Sequence, residues 1–95
     1  MALYAVVCND KPNSLDLRMA TREAHLAYVR GFLDKTKIGG PLLDENGDMA
    51  GSMLIMEFEN LAEAQAFSAG DPYAKAGLFE HVDIRAYRIT LNGLT

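Results

Sequence analysis

Asp44-Glu45-Asn46-Gly47-Asp48, followed by Met49-Ala50-Gly51-Ser52-Met53-Leu54-Ile55-Met56-Glu57-Phe58, decides the fold of this chain. The Asn-Gly pair is a strong hairpin signal, because both residues tolerate the positive φ that tight β-connections need. From Ser52 the sequence alternates, with Ser52, Leu54, Met56 and Phe58 on one face and Met53, Ile55 and Glu57 on the other. A period of two predicts a strand. The strand leading into the hairpin is Lys37-Ile38-Gly39-Gly40-Pro41-Leu42-Leu43, predicted to be kinked or bulged at its glycines and proline.

Outward from the hairpin the elements fall in order. Leu3 to Cys8 is a continuous apolar run ending in the turn residues Asn9-Asp10-Lys11-Pro12-Asn13, which reads as a buried strand and a loop. Ser14 is a candidate cap for a helix from Leu15 to about Thr36. Beyond the hairpin, Asn60 caps a second helix from Leu61 to about Ala69, and Gly70 ends it. Asp71-Pro72 opens a further turn, with Tyr73 to Phe79 coiling into a short helix, and Val82 to Leu91 is the last strand. The order β-α-β-β-α-β predicts an α+β fold of the ferredoxin-like split βαβ type, an antiparallel sheet with its helices on one face.

Composition agrees with one domain over 1–95: 49% apolar and 23% charged residues make an ordinary globule. A formal charge of −4 argues against a nucleic-acid partner. The single cysteine, Cys8, rules out an internal disulfide and suits a reducing compartment. The N-terminal segment reads as a strand rather than a signal peptide, and no run reaches the ~18 apolar residues of a membrane span. A cytoplasmic protein without a membrane partner is expected.

Counting faces predicts a homodimer through sheet faces. The first strand is apolar on both sides, Leu3, Ala5 and Val7 on one and Tyr4, Val6 and Cys8 on the other. The third repeats this with Met53 and Ile55. A sheet face left wet would alternate apolar and polar, and two identical sheets meeting face to face close the exposed surface. The alternative cover is a tilted loop or the tail Asn92–Thr95.

Helix 1 carries the chemistry. At 100° per residue, Leu15, Met19, Leu26, Val29 and Leu33 form one stripe expected to face the sheet. Arg22 lies inside that stripe, with Arg18 and His25 along its edge. A guanidinium aimed at a core must be paired or reach a wet cavity. Arg22 therefore either pairs within the chain, for instance with Glu57 or Asp83, or joins Arg18 and His25 around a pocket for a small anionic molecule. Asp71 has the N-cap role open to it; reaching His25 as well would fix the imidazole tautomer and raise the basicity of its other nitrogen. Ser52 and Gly40-Pro41 are candidates for the same cavity, Ser52 having the alternative of a hydroxyl bonded to backbone. Cys8 reads as core, and His81 and Asp83 as turn-adjacent residues. The acidic hairpin tip lacks calcium-loop spacing, the two histidines give no metal signature, and no phosphate-binding glycine motif occurs. Neither a metal nor a cofactor is expected.

Laid out in order, these segments resemble the YciI-like (YCII) family. The matching residues are Arg18, Arg22 and His25-Leu26, then Gly40-Pro41-Leu42, Gly47 and Gly51-Ser52. Glu63-Ala64, Asp71-Pro72-Tyr73, Ala76-Gly77-Leu78 and the strand at Val82–Tyr87 complete them. Ala86 departs from the family pattern, where a proline is frequent. The resemblance implies a subunit that dimerises into a dimeric α+β barrel, and a histidine–aspartate active site that maps onto His25 and Asp71, with Arg22 and Ser52 lining it. The expectation is a cofactor-independent enzyme acting on a small anionic or phenolic metabolite by acid/base chemistry, either elimination or proton transfer. His25 and Asp71 would be catalytic, with Arg22, Ser52, Arg18 and Pro41 binding substrate. The alternative is a non-catalytic small-molecule-binding or dimerising module.

Overall fold

The computed structural model describes residues 1–94. β1 spans Ala2–Asp10, α1 Leu15–Arg30, β2 Thr36–Leu43, β3 Met49–Phe58, α2 Leu61–Gly70, α3 Pro72–Lys75 and β4 Phe79–Tyr87. The strands form one antiparallel sheet in the order β2-β3-β1-β4. This is the predicted split βαβ arrangement. Asp44 Oδ1 accepts from the amides of Asn46 and Asp48 at 2.9 and 3.0 Å, and Gly47 takes a φ of +83°, closing the hairpin. β2 shifts register between Thr36 and Ile38 and again between Leu42 and Leu43, the irregularity its glycines and proline foretell.

The core lies between the sheet and the helices. Tyr4, Val6 and Cys8 of β1 meet Leu54, Met56 and Phe58 of β3, covered by Ala64 and Phe67 of α2 and flanked by Tyr28, Val29 and Phe32. Register makes this legible, because Val6 pairs with Leu54 and Ile84, and cross-strand partners share a face. Asn60 caps α2 as expected, its Oδ1 accepting from Glu63 N–H at 2.9 Å, while Glu63 reaches back to the Glu59 amide.

Several boundaries differ from the sequence reading. α1 stops at Arg30 rather than near Thr36: Gly31 and Phe32 turn back onto the carbonyls of Tyr28 and Val29, and a 3-10 turn, Leu33–Lys35, delivers the chain to β2. Ser14 makes no side-chain cap, since its hydroxyl donates to the Pro12 carbonyl. α3 covers only Pro72–Lys75, Gly77 at φ +75° releasing the chain early into β4. β4 ends at Tyr87, not Leu91, where its pairing with β1 ends at Leu3.

The largest correction concerns the rotation of α1. Leu15, Met19 and Leu33 are exposed, and the buried side chains of the helix are Arg18 and His25. The stripe that faces inward runs Arg18, His25, Val29 and Phe32. Aromatic packing fixes it: Phe32 meets Phe67 edge-on at 4.9 Å and Tyr28 lies 5.5 Å from the same ring.

On the opposite sheet face, Leu3, Ala5, Val7 and Ile55 adjoin Ile38, Met53 and Tyr87, which are 41%, 39% and 49% exposed. The tail borders this face, where Ile89, Leu91 and Leu94 line a hollow with Ala5, Met53 and Ile55, but Leu91 and Leu94 stay 92% and 77% exposed and so seal little of it; Thr95 lies outside the described residues.

Cys8 is sealed in the core at 2% exposure, as its strand position predicts. Burial, reinforced by Asp71 and Asp10 and opposed by Arg18, pushes its thiol from 9.0 up to about 12. Since the native state holds the proton that the unfolded chain releases at 9.0, this stability is complete below pH 9 and lost as pH rises toward 12. Denaturant titrations at successive pH values should show an alkaline decline that reaches on the order of 4 kcal/mol and is shallower in Cys8→Ala. Parallel slopes in the two proteins would remove Cys8 as the cause.

Candidate active site

Because α1 turns Arg18 and His25 inward, charge enters a region that would otherwise be apolar core, and the fold must satisfy it. Arg18, 2% exposed, donates through Nη1 to both carboxylate oxygens of Asp10, at 3.1 and 3.0 Å, and through Nη2 to Ser52 Oγ at 2.7 Å. Its guanidinium carbon lies 4.5 Å from the centre of the Tyr73 ring. Only Nε, sealed from solvent, lacks a partner among the described residues. Burial raises the Asp10 carboxyl above its ordinary range, with the Arg18 charge and hydrogen bonds working against that rise. A buried ion pair thus ties the end of β1 to the first turn of α1, and the hydrogen bond to Ser52 ties both to β3.

Two turns along α1, His25 Nδ1 lies 2.9 and 3.0 Å from the two oxygens of Asp71, a residue 46 positions away. The corner that supplies Asp71 follows from local sequence. Gly70 ends α2 where a Cβ would sit 2.5 Å from Tyr28 Oη, and that hydroxyl donates to the Phe67 carbonyl at 2.9 Å. Tyr28, one turn beyond His25, therefore clamps the end of α2 against α1. Pro72 then starts α3, and Asp71 Oδ1 caps it by accepting from Tyr73 N–H at 2.9 Å. One carboxylate serves both the cap and the imidazole. With Nδ1–H donating to Asp71, a neutral imidazole leaves its lone pair on Nε2. Nε2 has no partner among the described residues and is not sealed.

Tyr73 completes the cluster. Its ring stacks on His25 at 4.1 Å with 17° between planes, and it is 1% exposed. Burial raises its phenol above the usual range, against the pull of Arg18 and Arg22.

These groups border a cavity of about 100 Å³, lined by Arg22, His25 and Tyr73 with Leu26, Pro41 and Leu54. Arg18 and Ser52 also reach its wall. Ser52 stands opposite Pro41 in the sheet, which brings the β2 proline there. Arg22 is half-buried and has no ion-pair partner among the described residues. Neither intramolecular partner considered for it holds, because Asp83 pairs with Arg85 and Glu57 belongs to the opposite sheet face. Larger hollows lie at the hairpin tip, about 330 Å³, and on the open sheet face, about 440 Å³. Neither contains a histidine held by a carboxylate.

All the candidate residues, His25, Asp71, Arg22, Ser52, Arg18 and Pro41, thus lie in or against one small region. The sequence reading interchanged the two arginines: Arg18 is the buried, paired one and Arg22 the open one. It also missed Asp10 as the counter-ion and Tyr73 as a wall. The triplet Asp71-Pro72-Tyr73 carried a signal for Tyr73; Asp10 looked like any turn residue.

The profile of the YCII-related domain matches residues 2–88. Protein YciI of Escherichia coli O6:H1 is 38% identical over 94 residues, spanning 90% of this chain and 96% of that protein. An uncharacterized protein of Haemophilus influenzae is 36% identical over 93 residues, spanning 90% and 95%. Among solved structures, the 5-chloro-2-hydroxyhydroquinone dehydrochlorinase TftG of Burkholderia phenoliruptrix AC1100, in complex with 2,5-dihydroxybenzoquinone, superposes with a TM-score of 0.85. It is 37% identical, with 90% of this chain and 93% of that one covered.

Proposed function

The chain belongs to the YCII-related domain family, and from that premise we propose that it is a cofactor-independent enzyme acting on a small, oxygenated, anionic ring compound. His25 is the general base and acid, Asp71 holds its tautomer, and Arg22 binds the substrate's negative charge. The observation that carries this reading is the carboxylate-held imidazole whose free Nε2 shares a cavity with an unpaired guanidinium. The activity named for TftG supports the substrate class.

The reaction is an elimination. Nε2 takes a proton from a ring hydroxyl, whose pair forms C=O as the ring carbon bearing X takes up a proton in return. A second hydroxyl then loses its proton and forms C=O, the ring π pair moves one bond along, and X leaves with its own bonding pair as an anion. The net change is loss of HX, which needs neither oxidant nor reductant. Arg22 stabilises the oxyanion that develops as the proton leaves, and a planar guanidinium can do so through two parallel hydrogen bonds. Arg18, occupied by Asp10 and Ser52, acts on the site through its field and by bracing the wall, while Ser52 and Pro41 shape it. The same reading includes a homodimer through the apolar sheet face and a cytoplasmic location, supported by the exposed Met53, Ile38 and Tyr87 and by the lone buried cysteine.

Incubation with 5-chloro-2-hydroxyhydroquinone, followed by chloride release, is the test. Chloride release that depends on His25 is expected. Binding without release would assign a non-catalytic small-molecule module instead.

A further inference from the structure

Tyr73 is the polar residue of the cavity that no step above uses. Its backbone N–H is spent on Asp71, and its ring is spent on His25 and Arg18. Its hydroxyl is different. The side chain is 1% exposed, yet the hydroxyl has no hydrogen-bond partner among the described residues and is not sealed, since Arg18 Nε is the one sealed, unpartnered polar atom there. A buried phenol ordinarily finds a partner. Tyr73 lines the cavity beside His25 and Arg22, so a ligand bound there would be the partner its hydroxyl lacks.

We propose that Tyr73 is a substrate-positioning residue whose hydroxyl donates a hydrogen bond to an oxygen of the bound ring. This rests on the reading of the cavity as the ligand site, and it narrows the ligand class. With Arg22 meeting one oxygen and Tyr73 another, the site selects rings bearing two oxygen substituents over singly substituted ones. Because burial keeps the phenol protonated through neutral pH, it has a proton to donate to an anionic or carbonyl oxygen, which can only accept. The ring itself must stay where it is, since the His25 imidazole lies against it at 4.1 Å. Tyr73→Phe removes the donor alone.

The probe is 2,5-dihydroxybenzoquinone, read by its visible absorbance against wild type, Tyr73→Phe and His25→Ala. Tyr73→Phe is expected to bind about tenfold more weakly, a typical value for one hydrogen bond to an ionised or polarised oxygen. Its melting temperature without ligand should match wild type, because the hydroxyl satisfies nothing inside the protein. In wild type the Tyr73 Cζ resonance should move on binding. Equal affinity in Tyr73→Phe, or a wild type that fails to bind the probe, overturns the proposal. A fall of several degrees in the ligand-free melting temperature does the same, since it would make the hydroxyl structural. Weakened binding in Tyr73→Phe without His25-dependent turnover would uphold the donor while removing the catalytic reading.

Discussion

His25→Ala lowers kcat/KM on a halogenated hydroxyhydroquinone by ~10²–10⁴-fold, the range a positioned acid–base group contributes. The effect is chemical because His25, held at Nδ1 by Asp71, is among the described residues the one histidine lining the cavity, and no carboxylate lines it. The fold should survive. Asp71 keeps its hydrogen bond from Tyr73 N–H, and the lost contact costs about 1–3 kcal/mol. Asp71→Asn separates orientation from charge. Its amide still occupies the corner but no longer demands a proton on Nδ1, so turnover should fall steeply while the melting temperature moves little. Arg22→Met removes both the hold on the substrate's charge and the partner of the developing oxyanion, so it is expected to raise KM and lower kcat together. Turnover that persists in His25→Ala, with the fold intact, would contradict the assignment.

Asp10→Ala is expected to cost about 3–5 kcal/mol of stability, more than any truncation on the cavity wall. The ion-pair side chains are 3% and 5% exposed, so removing the carboxylate strands the Arg18 charge in the core with Ser52 as its remaining hydrogen-bond partner. The Arg18→Met and Asp10→Leu double variant removes both charges and should recover most of that loss, since an apolar pair of similar size needs no solvation. Urea denaturation of the three variants decides the matter. A loss below about 1 kcal/mol in Asp10→Ala would mean that water reaches the pair. The double variant, though folded, is expected to be catalytically impaired, because Arg18 also carries the Tyr73 ring on which His25 rests.

How much of this was legible in the sequence depends on the range of the interaction involved. Local signals worked: Asn46-Gly47 marked the hairpin, alternation from Ser52 to Phe58 assigned faces, and Asn60 and Asp71 capped helices through bonds two or three residues away. The rotation of α1 was misread because its hydrophobic stripe is weak. Leu15, Met19 and Leu33 are apolar yet exposed, and the helix is oriented by Tyr28 and Phe32 packing on Phe67 and by the buried charges of Arg18 and His25. A helix that buries an arginine defeats a reading based on hydrophobicity. Its counter-ion, Asp10, is supplied by the end of β1 and cannot be told from a loop residue until the chain folds. The approach of His25 and Asp71 was expected from family resemblance and not from spacing, as nothing local couples residues 46 positions apart. The end of β4 was missed for a plain reason: a strand runs as far as its partner pairs with it, and the pairing with β1 ends at Leu3.

The claim on which the function turns is that ligand chemistry occurs beside the Asp71-held imidazole on the helix side of the sheet. A crystal structure of the protein with bound 2,5-dihydroxybenzoquinone tests it most directly. The ring should lie among Leu26, Pro41 and Leu54, with one oxygen within about 3 Å of Arg22 and the reacting edge turned to His25 Nε2. A ring seated instead among Ile38, Met53 and Tyr87 on the far side of the sheet would contradict it.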